Sequence, residues 1–278
     1  KMEENIALNI HDDDEERLVK EFSSKLRMMG VNKDDIQETA KRLVGELKES
    51  ADSNIESSSH EVQPVNSHEY SIKTPATLVE LEAAWEKVFP FEKPFGTNNG
   101  SFSSDDPWEQ NAAKKWLLFL GKNSACFDSL AILDDIATAL FSNDYLHEES
   151  FLEQLVLPVL NRALSIVQNI GLEDKATLPW GFIDNRPALR SLSRLATVYS
   201  MLDADGSIEK TANIYLRFNP NDNHGMRMFK MNGLLGRNQN NEAFVFSEKY
   251  PEDFDLNILL GKALALFRLD KIEVASDA

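Results

Sequence analysis

Apolar residues recur along this chain at intervals of three and four, the spacing that sets side chains on one face of an α-helix. Leu18, Phe22, Leu26 and Met29 form the first stripe, and Ile36, Ala40, Leu43 and Leu47 the second. Gly30 stops the first helix and Asn32 is placed to cap the next. Residues 1–50 therefore read as an N-terminal helical hairpin, with the five acids Asp12 to Glu16 at the positive end of its first helix. The pattern then lapses. Ser57, Ser58 and Ser59, scattered polar residues, Pro64 and Pro75 leave no periodicity, so residues 51–75 read as a flexible linker.

Residues 76–180 carry four more stripes and read as a helical bundle. Thr74-Pro75 opens the first, with Leu78, Leu81, Trp85 and Val88 on one face. A long loop with Pro90, Pro94, Gly96 and Gly100 follows, longer than most helix connections. Asp106-Pro107 starts the second stripe, Trp108, Ala112, Trp116 and Leu120, and Leu130, Leu133, Ala137 and Leu140 form the third. The fourth runs from about Glu149 to Ile170, and Pro158 is expected to kink or split it. Trp85, Trp108 and Trp116 read as core, because large aromatics at helical spacing face inward.

After Trp180 the stripes become regular. Leu189, Leu192, Ala196 and Tyr199 are followed by Ile208, Ala212 and Tyr215, then Met226, Phe229 and Gly233, then Ala243, Phe246 and Tyr250. Phe254, Ile258, Gly261, Leu264 and Phe267 close the series. Pro187, Pro220 and Pro251 lie 33 and 31 residues apart, and Ala212 and Ala243 are 31 apart. Paired helices at such a period point to an array in which neighbouring pairs share one core. Small residues at Ala212, Gly233, Ala243 and Gly261 are expected to let the helices approach closely. Residues 181–270 form this array and 271–278 a tail.

The run Asn219-Pro220-Asn221-Asp222-Asn223-His224-Gly225-Met226-Arg227 resembles the NPNDNxGxR turn of a bacterial and plant tetratricopeptide-like (TPR-like) repeat family. The segment Asn185-Arg186-Pro187-Ala188-Leu189-Arg190, the turn Gly236-Arg237, the turn Tyr250-Pro251-Glu252-Asp253 and the closing helix from Ala263 to Phe267 resemble its other landmarks. His224 departs from the usual glutamine, and Gln239-Asn240-Asn241 from a stretch where acids are common. The likeness covers roughly residues 180–270. It implies an all-α scaffold of antiparallel helix pairs that binds another protein. The overall layout, an acidic helical N-terminal region before a TPR-like part, resembles bacterial metaeffectors. Such proteins are injected into host cells and bind a second effector to restrain it. That likeness implies a bacterial effector enzyme as the regulated partner and a host cytoplasm as the destination.

Charge narrows the choice of partner. Against 29 bases stand 46 acids, for a net charge of -17, so phosphate backbones and anionic membrane surfaces are repelled. With 42% hydrophobic residues but only 12 glycines and 10 prolines, a helical fold is favoured over a long β fold. No run approaches 18 apolar residues and the first residues carry no apolar signal core, which predicts a cytoplasmic protein with no membrane span.

Candidate chemistry is sparse. Cys126 is the single cysteine, so no internal disulfide or CxxC site is available, and its apolar neighbours predict burial. His60 and His68 lack two further ligands for a metal. Asp203-Ala204-Asp205-Gly206 resembles the middle of a calcium loop, but Met201 and Ala212 stand where its end carboxylates belong. A helix-to-helix turn fits this segment better. No nucleotide, zincin or nucleophile-elbow motif is present, so no catalytic residue, metal or cofactor is predicted.

The scarce bases are the better guide. Arg186, Arg190 and Arg194 share one helical face, and Asn221, Asn223 and Arg227 open the next first-position helix. Asparagine and arginine on such helices can hold a peptide backbone or carboxylate, so these six are the predicted partner-binding residues. The competing reading is structural, with Asn221 capping a helix and Arg190 pairing with a nearby acid. Two other functions compete with a binding module. One is an enzyme with its site in 76–180 beside the 90–106 loop. The other is a carboxylate clamp built on Asn223 and Lys230.

Overall fold

A computed structural model describes residues 60–89, 106–108, 110–251 and 254–271. The hairpin expected over 12–50, most of the 90–106 loop and residues 272–278 of the tail lie outside the described residues. Among those described, the chain is helical apart from one two-stranded hairpin, as its stripes predict. It divides into two compact units, one holding 73–171 and the other 62–72 with 172 onward.

The first unit contains α1 (Val79–Trp85), α2 (Gln110–Lys122), α3 (Leu130–Phe141) and α4 (Glu149–Asn169). Ser129 starts α3. Its hydroxyl accepts from the Ile132 amide at 3.2 Å and donates to Glu82 Oε1 at 2.6 Å, tying α1 to the cap. All four members of the third stripe are buried, and α3 packs along α4. Trp85 and Trp116 are core, and Trp108 is half-buried against Trp116. Trp116 lies edge-on to Trp85 at 6.4 Å and to Trp108 at 5.3 Å, and each indole N–H finds an oxygen, on Asp135, Ala139 or Pro107.

Pro158 acts on α4 in an unusual way. The helix opens into one π-helical turn over Leu152–Val156 and resumes as α-helix at Leu157, which places the proline in a first turn. A wider turn upstream absorbs the missing N–H and the ring, so the run continues instead of breaking. By length and composition α4 could cross a membrane, although polar residues such as Asn161 and Arg162 interrupt its apolar run. In its most apolar stretch 67% of residues are buried within the protein, as in a core helix.

The second unit, with the flanking Glu61 and Lys73, corrects the linker expectation over residues 61–73. These residues form strands β1 (Glu61–Pro64) and β2 (Tyr70–Lys73). Tyr70 N–H donates to Thr177 O at 2.9 Å and Thr177 N–H to His68 O at 2.8 Å. The fully buried Asn185 accepts from the Ile72 amide at 2.9 Å and donates to Tyr70 O at 2.8 Å. The partners that order this hairpin lie more than 100 residues away, beyond any local pattern.

Five helices follow: α5 (Arg186–Met201), α6 (Asp205–Phe218), α7 (Met226–Gly236), α8 (Asn240–Ser247) and α9 (Leu256–Arg268). Each packs on the next in sequence order, α5 also touches α7, and α7 touches α9. The close approaches rest on glycine, as expected. A Cβ on Gly233 would lie 2.9 Å from Asp205 O and 3.1 Å from Glu209 N, and one on Gly261 2.5 Å from Met231 Cγ. The last stripe needs correction. Ile258, Gly261, Ala265 and Leu266 face inward, whereas Phe254, Leu264 and Phe267 are exposed. This helix is apolar on nearly every side, so spacing alone does not choose its buried face.

Candidate protein-binding site

The turn between α6 and α7 is an internal polar knot. Asn219 is buried, and its side-chain amide donates to Tyr215 Oη at 2.9 Å and Asn223 Oδ1 at 3.0 Å. His224 Nδ1 lies 2.5 Å from the same phenolic oxygen, and its ring stands edge-on to Trp180 at 4.6 Å. Burial pushes the Tyr215 hydroxyl up to about 12, so it stays protonated and able to donate.

Asp222 is the cap of α7. Its carboxylate accepts from the Met226 amide at 2.6 Å, the Arg227 amide at 3.0 Å and Arg227 Nε at 2.9 Å. Asp222 has φ +50° and Gly225 +69°, both left-handed. An aspartate tolerates that conformation better than most residues. The capping role that competed for Asn221 therefore falls on its neighbour, and Asn221 itself is exposed.

Most of the predicted binding residues are engaged by partners within the chain, although Asn221 and Asn223 are exposed and the four arginines are half-buried. Asn223 accepts from Asn219. Arg227 pairs with Asp222, and its guanidinium lies 4.9 Å from the centre of the Tyr250 ring. Arg186 donates to Trp180 O at 3.1 Å and stacks 4.9 Å over its indole. Arg190 and Arg194 are half-buried on α5, each with a partner.

A different surface is open. Between α6 and α8, over α7, lies a cleft of about 400 Å³ lined by Glu209, Lys230, Leu234, Glu242, Phe246 and Lys249, with Val245 exposed on its lining. Leu234 and Phe246 give it an apolar floor. Lys230 Nζ stands 4.6 Å over the Phe246 ring. Burial first, then the charge of Lys249, lowers the Lys230 pKa, while Glu209 works against them. Glu209 is itself bonded to Arg237 at 2.8 Å. An incoming carboxylate would pair with Lys230 and Lys249, against the opposing charge of Glu209 and Glu242, while its apolar neighbours cover the exposed Val245. The clamp alternative had pointed to Lys230. Lys249 was not legible, since only the packing of α8 on α7 brings positions 19 residues apart together. No family model matches the chain, and no curated protein or solved structure does either.

Proposed function

We propose that this chain is a protein-binding module whose cleft over α7 takes an acidic, apolar-flanked segment of a partner polypeptide. The observation that carries the reading is the half-buried Lys230 beside Lys249 above an apolar floor. Successive packing of α5 to α9 supports treating them as a TPR-like array, which would hold such a cleft rigid. The partner of choice, following the resemblance of the overall layout to bacterial metaeffectors, is a bacterial effector enzyme, with the chain acting on it in a host cytoplasm. Arg186, Arg190, Arg194 and Asn221 would then serve as the flank of the contact, with Asn223 and Arg227 supporting the turn beneath it.

The test compares two baits, the full chain and its Lys230→Glu/Lys249→Glu variant, in bacterial and host extracts. A polypeptide retained by the first, lost by the second and released as salt rises supports the proposal. Equal retention by both baits overturns the cleft assignment.

A further inference from the structure

The outward face of α9 carries a separate signal. Leu256, Leu260, Leu264 and Phe267 are 68%, 66%, 39% and 59% exposed at spacings of four, four and three, and Phe254 just before them is 90% exposed. A row of large apolar side chains along one helix is the kind of patch that monomers rarely leave open. None of these residues lines the cleft over α7.

Charge identifies what fits this face. The chain carries -17, yet α9 itself contains no acid, only Lys262 and Arg268. Lys262 is turned away to Glu248 at 2.9 Å, and Arg268 donates to Leu235 O at 2.8 Å. The repulsion that keeps two such acidic chains apart is therefore absent along the row. The ends differ: Asp255 caps the N-terminal end, while Arg268 and Lys271 outweigh Asp270 at the C-terminal end.

We propose that this face is a two-fold interface between two copies of the chain, with α9 lying antiparallel on its counterpart. A two-fold near position 262 sets Leu260 against Leu264 of the second copy and Leu256 beside its Phe267. The antiparallel arrangement also brings the acidic end and positive dipole of one helix to the basic end and negative dipole of the other. The exposed row amounts to on the order of 1,000 Å² across both copies, at the lower edge of specific interfaces. The dimer is accordingly weak and concentration-dependent, and salt strengthens it by screening the net charge.

Sedimentation velocity of the full chain over a wide concentration range tests this. The mass should rise from one copy toward two, and further at high salt, the opposite of the salt effect on partner capture. Leu260→Glu alone and Leu264→Lys alone should each stay single with unchanged circular dichroism, because both positions are exposed. Mixing the two variants should restore a two-copy species, since the new glutamate and lysine meet only in an antiparallel register. A single-copy mass at every concentration, a dimer that survives Leu260→Glu, or variants that fail to pair when mixed would each overturn the proposal.

Discussion

Removing the Asp222 carboxylate tests whether the turn before α7 is a structural knot or a binding loop. In Asp222→Ala the α7 N-terminus loses its cap, worth about 1 kcal/mol. Alanine must also hold the left-handed φ of +50°, at roughly 1–2 kcal/mol. Arg227, whose side chain is 31% exposed, loses its buried partner, and solvent limits that loss to about 1 kcal/mol. The expected destabilisation is about 3–4 kcal/mol. Asp222→Gly isolates the backbone part, because glycine accepts positive φ, and should recover about 1 kcal/mol of it. Urea unfolding followed by circular dichroism gives the totals, and hydrogen exchange locates them. Peptides from α7 should exchange faster while those from α3 stay unchanged. If both variants fall within about 0.5 kcal/mol of the parent, the carboxylate is not holding the turn and the reasoning fails.

Four further outcomes are expected. Gly233→Ala should destabilise by about 1–2 kcal/mol in thermal unfolding, because overpacking against the α6 backbone outweighs the roughly 1 kcal/mol gained in helix propensity. Gly206→Ala, whose Cβ would meet nothing closer than 3.9 Å, should be neutral or slightly stabilising. His60 is held down to about 4, chiefly by burial, with Arg162 adding and Asp128 opposing, so the unfolded chain takes up its proton first. The parent should therefore lose about 3 kcal/mol relative to His60→Leu as pH falls from about 6.5 to about 4, read by urea titrations at each pH. Cys126 is fully buried, which pushes its thiol up to about 12. A thiol reagent should label it only as fast as the protein unfolds, and rapid labelling of the native chain would contradict its burial.

The helices were legible because their stripes are long and well punctuated. Leu130 to Leu140 and Leu189 to Ala196 mark faces that are buried. Pro158 was legible as a disturbance, but its resolution as a π turn depends on how Leu152, Leu155 and Val156 pack into the core. The hairpin over 61–73 escaped because Asn185 and Thr177 supply its hydrogen bonds from afar. The run from Asn219 to Arg227 forms a demanding turn in which Asn219 and Asp222 are buried and hold the chain, while Asn221 and Asn223 are exposed. Spacing reveals that a turn is demanding and does not say whether its side chains serve the turn or a guest. The cleft was half legible, through Lys230, because its other lysine belongs to a different helix.

The most direct test of the central claim is photo-crosslinking from the cleft in a living cell. A benzophenone side chain replaces Val245, which is 58% exposed on the cleft lining, and a control replaces Tyr145, 45% exposed in the other unit. The expected result is one recurrent crosslinked polypeptide from position 245, lost when Lys230→Glu and Lys249→Glu are added and not obtained from position 145. The same background of crosslinks from both positions, unchanged by the lysine substitutions, would contradict a partner in the cleft.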